Sequence, residues 1–231
     1  MKTIGIIGGI GPESTIEYYR LIVAAYFERN PDGGYPAIII NSIDLKKMLR
    51  MVTTNELVEL SEYLVSEIHR LARAGAEYGL VAANTPHIVF DEIRRQSPIP
   101  LISIVEATCE AAKILGLRNL GLFGPRFTMQ GRFYPDVFSR EGIALAVPDE
   151  ADQVFIHHIY FNELVKGTVL PETRERLLTL VDRLKERAGI QGLILGGTEL
   201  SLILRDATVR DIPVLDTTKI HARAIVEKAL S

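Results

Sequence analysis

Short apolar runs alternate with longer amphipathic stretches along this chain. Strands are predicted at Thr3–Ile7, Ala37–Asn41, Gly79–Ala82, Leu101–Ser103, Asn119–Phe123, Leu145–Ala146, Gly192–Leu195 and Val214–Leu215. Several of these runs are almost continuous Val, Ile and Leu without polar alternation, as in strands buried on both faces of a parallel sheet. Helices are predicted over Ser14–Arg29, Asn55–Ala74, Val105–Leu115, Pro171–Ala188 and Thr217–Leu230. Glu13 and Glu17 lie near the positive end of the first helix. Gly75, Gly116 and Gly189 follow three of the others and supply left-handed stops. Strands alternating with helices predict an α/β fold of doubly wound parallel sheets with right-handed crossovers.

The pattern is written twice. Lys2-Thr3-Ile4-Gly5-Ile6-Ile7-Gly8 is echoed by Arg118-Asn119-Leu120-Gly121-Leu122-Phe123-Gly124. Ala74-Gly75-Ala76-Glu77 returns as Ala188-Gly189-Ile190-Gln191, and Ile99-Pro100-Leu101-Ile102-Ser103 as Ile212-Pro213-Val214-Leu215-Asp216. The offset stays between 113 and 116 residues, too long for a solenoid repeat and fitting two domain-sized copies. Two pseudo-symmetric domains with a cleft between them are expected. The first takes residues 1–98 plus 213–231 and the second takes residues 99–212.

Composition narrows the function classes. The chain has 231 residues, enough for one large or two small domains with real cores. Its 26 basic and 29 acidic residues leave a formal charge of −3, which argues against nucleic-acid and membrane-surface partners. No apolar run reaches the length of a membrane span and no signal-peptide pattern precedes the first strand, so a cytoplasmic protein is expected. The single cysteine, Cys109, rules out an intrachain disulfide and a thiol-rich metal site, and no metal site is expected. Cys109 sits within a helix among apolar neighbours, where a free thiol behaves as a small hydrophobe.

Ligands of parallel α/β sheets bind beyond the carboxyl ends of the strands, which directs attention to five loops, Gly8–Thr15, Asn41–Asp44, Asn84–His87, Gly124–Thr128 and Gly196–Glu199. The first, Gly8-Gly9-Ile10-Gly11-Pro12, puts Ser14 where a dinucleotide fingerprint has its third glycine. Pro12 also removes an amide that would face a pyrophosphate, so a small-anion loop is the better reading. His87 is either a general acid or base or a cap for its helix. Glu199, after Thr198 at the mirrored place, is either a proton-transfer group or a partner for a helix dipole. His157-His158 reads as surface or interface, and His69 and His221 as structural.

The Gly-Gly-x-x-Pro-Glu-Ser-Thr start, the Asn84-Thr85-Pro86-His87 loop and the Gly197-Thr198-Glu199-Leu200 loop, in this order, resemble the aspartate/glutamate racemase family, essentially end to end. The resemblance implies two pseudo-symmetric α/β domains, a homodimer, no cofactor, and a small amino acid or dicarboxylate as ligand. It also implies interconversion of L- and D-amino acids by two cysteines, one removing the α-proton and one returning it on the opposite face. The cysteine positions correspond here to Ala83 and Gly197, so both thiols are missing. Gly11, Asn84, Thr85 and Thr198 fall at substrate-binding positions, and Thr128 matches a hydroxyl that holds the α-carboxylate. Lys166 matches a lysine that meets a side-chain carboxylate, and Arg50 is a looser candidate for a second cation. Two-thiol racemisation cannot run on a methyl group and a hydrogen. That leaves His87 and Glu199 as candidate proton carriers and suggests a pocket widened by two small residues. Two functions stay open, an isomerase using groups other than cysteine and an inactive binder of an amino acid or dicarboxylate.

Overall fold

The computed structural model describes residues 2–231. The chain forms two compact units, Met1–Ile104 with Thr218–Ser231, and Val105–Thr217. In the first, strands β1 (Ile4–Gly8), β2 (Ile38–Ser42), β3 (Tyr78–Val81) and β4 (Leu101–Ile102) make a parallel sheet in the order β2-β1-β3-β4. Helices α1 (Pro12–Arg29), α2 (Leu45–Thr53), α3 (Leu57–Arg73) and α4 (Phe90–Gln96) provide its crossovers. All five residues of β1 are buried, as its unbroken apolar run requires.

The second unit opens on α5 (Ile104–Ile114), whose first residue closes the first unit, and continues through β5 (Asn119–Phe123), α6 (Arg126–Gln130), α7 (Phe133–Phe138), β6 (Ala144–Ala146) and α8 (Glu150–Asn162). It ends with α9 (Pro171–Ala188), β7 (Gly192–Leu195), β8 (Thr208–Val209) and β9 (Ile212–Asp216). Its sheet order is β6-β5-β7-β9-β8, parallel except where the short β8 pairs antiparallel with β9. Without β8 the order repeats that of the first sheet, strand for strand. The final helix, α10 (Thr217–Leu230), returns to the first unit. There Ala222, Ile225, Val226 and Ala229 share a core with Ile4, Ile6, Leu80, Tyr18 and Ile22.

Several details differ from the sequence expectation. The crossings between units fall at Ile104/Val105 and Thr217/Thr218, a few residues later than residues 98/99 and 212/213. Strand pairing is the reason, since β4 completes the sheet of β3 and β9 that of β7. The helix expected from Asn55 begins at Leu57, after Asn55 takes a left-handed φ of 58°. Helices α2, α6, α7 and α8 were not anticipated. Two of them announce themselves by acidic caps, since Asp44 accepts from the Lys46 and Lys47 amides (2.7 and 3.3 Å) and Asp149 from the Asp152 amide (3.0 Å). Gly189 ends α9 at φ 60°, the expected left-handed stop. No helix among the described residues is long and apolar enough to cross a membrane.

Candidate functional site

In the first unit the loop after β1 is closed by its own side chain. The Thr15 hydroxyl accepts from the Gly9 amide (2.8 Å) and donates to the Gly11 carbonyl (3.1 Å). Gly9 has a φ of 82° and a Cβ there would lie 2.4 Å from the Ile43 carbonyl oxygen, so only glycine fits. The Gly9 amide and the Gly11 carbonyl are thus already engaged locally.

Beyond β3, Ala83, Asn84, Thr85 and His87 are all buried. The turn from Thr85 to Val89 is a short 3-10 helix with Pro86 in its first turn. His87 lies inside it with both ring nitrogens committed. A main-chain N–H can only donate, so Nε2 accepts from the Ile104 amide (3.1 Å), and the ring proton sits on Nδ1, donating to the Ala83 carbonyl (3.0 Å). The ring stacks on Phe90 with centroids 4.6 Å apart. Burial, and then the neighbouring His221, push its pKa down to about 3. These contacts hold His87 as a neutral strut between the turn and the start of α5, in keeping with the structural one of its two alternatives.

His221 has the opposite tautomer. Nε2 donates to the Ile102 carbonyl (2.8 Å), and Nδ1 accepts from the Tyr18 hydroxyl (2.8 Å). Burial lowers its pKa to about 4. The expectation that His221 is structural agrees with these contacts.

In the second unit the equivalent turn is built around glycine and a carboxylate. A Cβ on Gly124 would meet the Gly196 carbonyl oxygen at 2.7 Å, and one on Gly196 would meet the Thr128 methyl at 2.9 Å. Gly197 is tighter still, with a built Cβ lying 2.5 Å from Cε2 of Tyr160, 2.9 Å from Cδ of Pro125 and 3.2 Å from Cζ of Tyr160. The Tyr160 ring, carried by α8, thus fills the space a side chain at 197 would take. This corrects the expectation of a pocket widened at that residue.

Glu199 is only 3% exposed, a costly place for a carboxylate without donors. Its Oε2 accepts from the Tyr160 hydroxyl and, at 2.7 Å, from the Thr198 hydroxyl. Burial, and then the Glu199 charge, raise the Tyr160 pKa well above that of a free phenol, so the ring stays a donor. Thr128, on α6 after β5, is wholly buried, and its Oγ1 has no hydrogen-bond partner. Helix α6 packs against α8, and the short turn Leu164–Lys166 packs against the turn Thr198–Leu202. Lys166 itself is exposed.

The remaining candidates stand elsewhere. Arg50, on α2 of the first unit, is paired with Glu56 (3.1 Å) and Glu59 (3.0 Å). Its charge is already met, which weakens its assignment to a ligand carboxylate. Cys109 is buried in α5, and burial, aided by Glu141, pushes its pKa up to about 11, so the one thiol is inert. No cluster of His, Cys, Asp and Glu among the described residues is arranged to hold a metal. Sequence reasoning missed Tyr160. The signal available was indirect, a buried carboxylate beside two glycines, which needs a donor from somewhere.

Comparisons with known proteins agree on one family. The family profile described as Asp/Glu/Hydantoin racemase matches residues 7–225. An aspartate racemase homologue from Pyrococcus horikoshii OT3 is 35% identical, with each chain covered in full and a TM-score of 0.86. A crystal structure of a candidate Asp/Glu racemase from Yersinia pestis is 33% identical, again over the whole of both chains, with a TM-score of 0.91. The broad specificity amino-acid racemase RacX of Bacillus subtilis (strain 168) is 23% identical over 235 residues, covering 99% of this chain and 98% of the relative.

Proposed function

The chain belongs to the Asp/Glu/Hydantoin racemase family, and from that premise we propose that it acts on a small amino acid, acidic ones included, as a cofactor-independent isomerase whose proton transfer has left sulfur. The observation that carries this reading is Thr128. A wholly buried hydroxyl without a partner costs about 1–3 kcal/mol, and it stands at the position where the family resemblance puts a carboxylate-holding hydroxyl. A carboxylate oxygen accepting from it removes that cost on binding. Thr198 and the exposed Lys166 belong to the same unit and suit the rest of an amino-acid dicarboxylate. In the first unit, Asn84 and Thr85 are buried polar groups at positions that the family resemblance gives to substrate binding.

The two-thiol route is closed, because Ala83 and Gly197 carry no ionisable group and Cys109 is buried in a helix. A second reading, binding without turnover, is favoured by one observation, the locked neutral state of His87 beside Ala83. Incubating the protein with L- and D-amino acids in deuterated water separates the two. Isomerase action predicts deuterium at Cα and appearance of the other enantiomer, read by NMR and chiral chromatography. A thermal shift with an amino or dicarboxylic acid, but no deuterium in any of them, would leave only the binder. A panel without any shift would sink both. The proposal extends to a homodimer, for which light scattering on the purified protein should give twice the chain mass.

A further inference from the structure

Three observations in the second unit meet at one place. Glu199 is a buried carboxylate whose Oε2 receives two hydroxyl donors, Tyr160 and Thr198. The Tyr160 ring is pressed against the Gly197 backbone so closely that Cζ, the carbon bearing the hydroxyl, would lie 3.2 Å from a Cβ at that residue. The orphaned Thr128 hydroxyl lies on α6, the helix packed against the one that carries Tyr160. A buried acid-base pair at the carboxyl end of a parallel strand is where ligand chemistry in such sheets is expected.

We infer that Tyr160 and Glu199 form a proton relay, with the Tyr160 hydroxyl as the group that meets the substrate α-hydrogen. The inference rests on the amino-acid reading above and names the residues that would carry its proton step. In the forward direction the Cα–H bond breaks and its proton passes to the Tyr160 oxygen as the Tyr160 proton moves to Glu199 Oε2. The bonding pair stays on the substrate as a carbanion conjugated with its carboxylate. Tyr160 ends as a neutral phenol and Glu199 as a carboxylic acid, and the reverse steps return a proton to the same face of carbon, so the relay accounts for α-hydrogen exchange and for the proton-removal half of an isomerisation. No free phenolate is formed, which matters because burial and the Glu199 charge oppose one. Thr198 donates to the same oxygen and holds the carboxylate beside the phenol.

The test uses the full-length protein, first screened by thermal shift against L- and D-aspartate, L- and D-glutamate and the other proteinogenic amino acids. For each acid that binds, α-hydrogen exchange is followed by proton NMR in deuterated water for wild type, Tyr160→Phe and Glu199→Gln. Tyr160→Phe keeps the ring that packs on Gly197, and circular dichroism with a retained ligand shift reports whether each variant has kept its fold and site. The relay predicts that both variants still bind but exchange about 100-fold or more slowly. Exchange that survives in folded Tyr160→Phe would overturn the relay. Binding by wild type without any exchange would also overturn it while leaving a ligand-binding site. Absence of binding would remove the amino-acid reading on which it rests.

Discussion

The turns that follow β3 and β7 occupy equivalent places in the two units, yet their buried polar groups do opposite things. After β3, the buried histidine and its neighbour on α10 are held neutral and tied down. His87 bridges the Ala83 carbonyl and the Ile104 amide, and His221 bridges Tyr18 and the Ile102 carbonyl. After β7, a carboxylate is buried on two hydroxyl donors, and a nearby threonine hydroxyl is left unpaired. The first turn has the signature of a scaffold, and the second carries the groups of the proposed site. Duplication of a fold therefore need not duplicate chemistry, since each copy can distribute its polar groups differently over the same strand ends.

Acid should break the comparison first, because the first unit alone depends on two uncharged histidines. Their folded pKa values, about 3 for His87 and about 4 for His221, lie below the ordinary histidine value, so the unfolded chain takes up protons first as pH falls. The stabilisation is complete above about pH 6.5 and is lost through the window from there down to pH 3–4. The linkage amounts to roughly 3 kcal/mol per ring between pH 7 and pH 4. Urea unfolding followed across that range should show the loss, and His221→Gln should reduce its slope by about one proton. A stability that is flat from pH 7 to 4 would mean that the rings are not held neutral.

Gly197→Ala sharpens the other side. The added methyl would meet Cε2 of Tyr160 at 2.5 Å and Cδ of Pro125 at 2.9 Å, an overpacking that costs about 1–3 kcal/mol. Ala83 already carries a Cβ, so Ala83→Cys has only one added sulfur to place. Replacing both residues with cysteine therefore recovers no second thiol unless Tyr160 is cut back as well. A double-mutant cycle between residues 197 and 160, read by denaturant midpoints, should show strong coupling, and additive effects would contradict the contact.

Thr128→Val tests the orphaned hydroxyl at nearly constant shape. In the free protein it removes a buried polar atom that has no partner, so stability should rise by about 1 kcal/mol. Any amino or dicarboxylic acid found by thermal shift should bind more weakly to the same variant. A loss of stability instead would mean that the hydroxyl serves the fold rather than a ligand.

Much of this architecture was legible from the chain. The buried runs of β1, β5 and β7 have no polar alternation, which fixes a parallel sheet, and the repeated phrases foretell two sheets of one strand order. The Thr128 and Glu199 segments do follow the ends of β5 and β7, as the strand runs foretold. What stayed hidden were contacts distant in sequence. Tyr160 lies 39 residues before Glu199 in a helix whose mixed His and aromatic composition hides its period. Both alternatives for His87 stayed open because nothing near it in sequence reveals that the Ile104 amide caps its free nitrogen. Helix α2 was masked by its shortness and its run of lysine and arginine, although Asp44 marks its start.

The smallest expected effect concerns Arg50, which resemblance offered as a ligand cation and structure ties to Glu56 and Glu59. Its side chain is 53% exposed, so solvent screens both pairs, and Arg50→Ala should cost no more than about 0.5 kcal/mol. Part of even that loss should disappear in high salt, as for any exposed pair. The same variant should leave the affinity for aspartate or glutamate unchanged, because the guanidinium is already met by two carboxylates of its own unit. A clear drop in affinity for the acidic amino acids, with neutral ones unaffected, would return Arg50 to the binding site. The first unit would then supply more than a scaffold, and its contrast with the second would narrow.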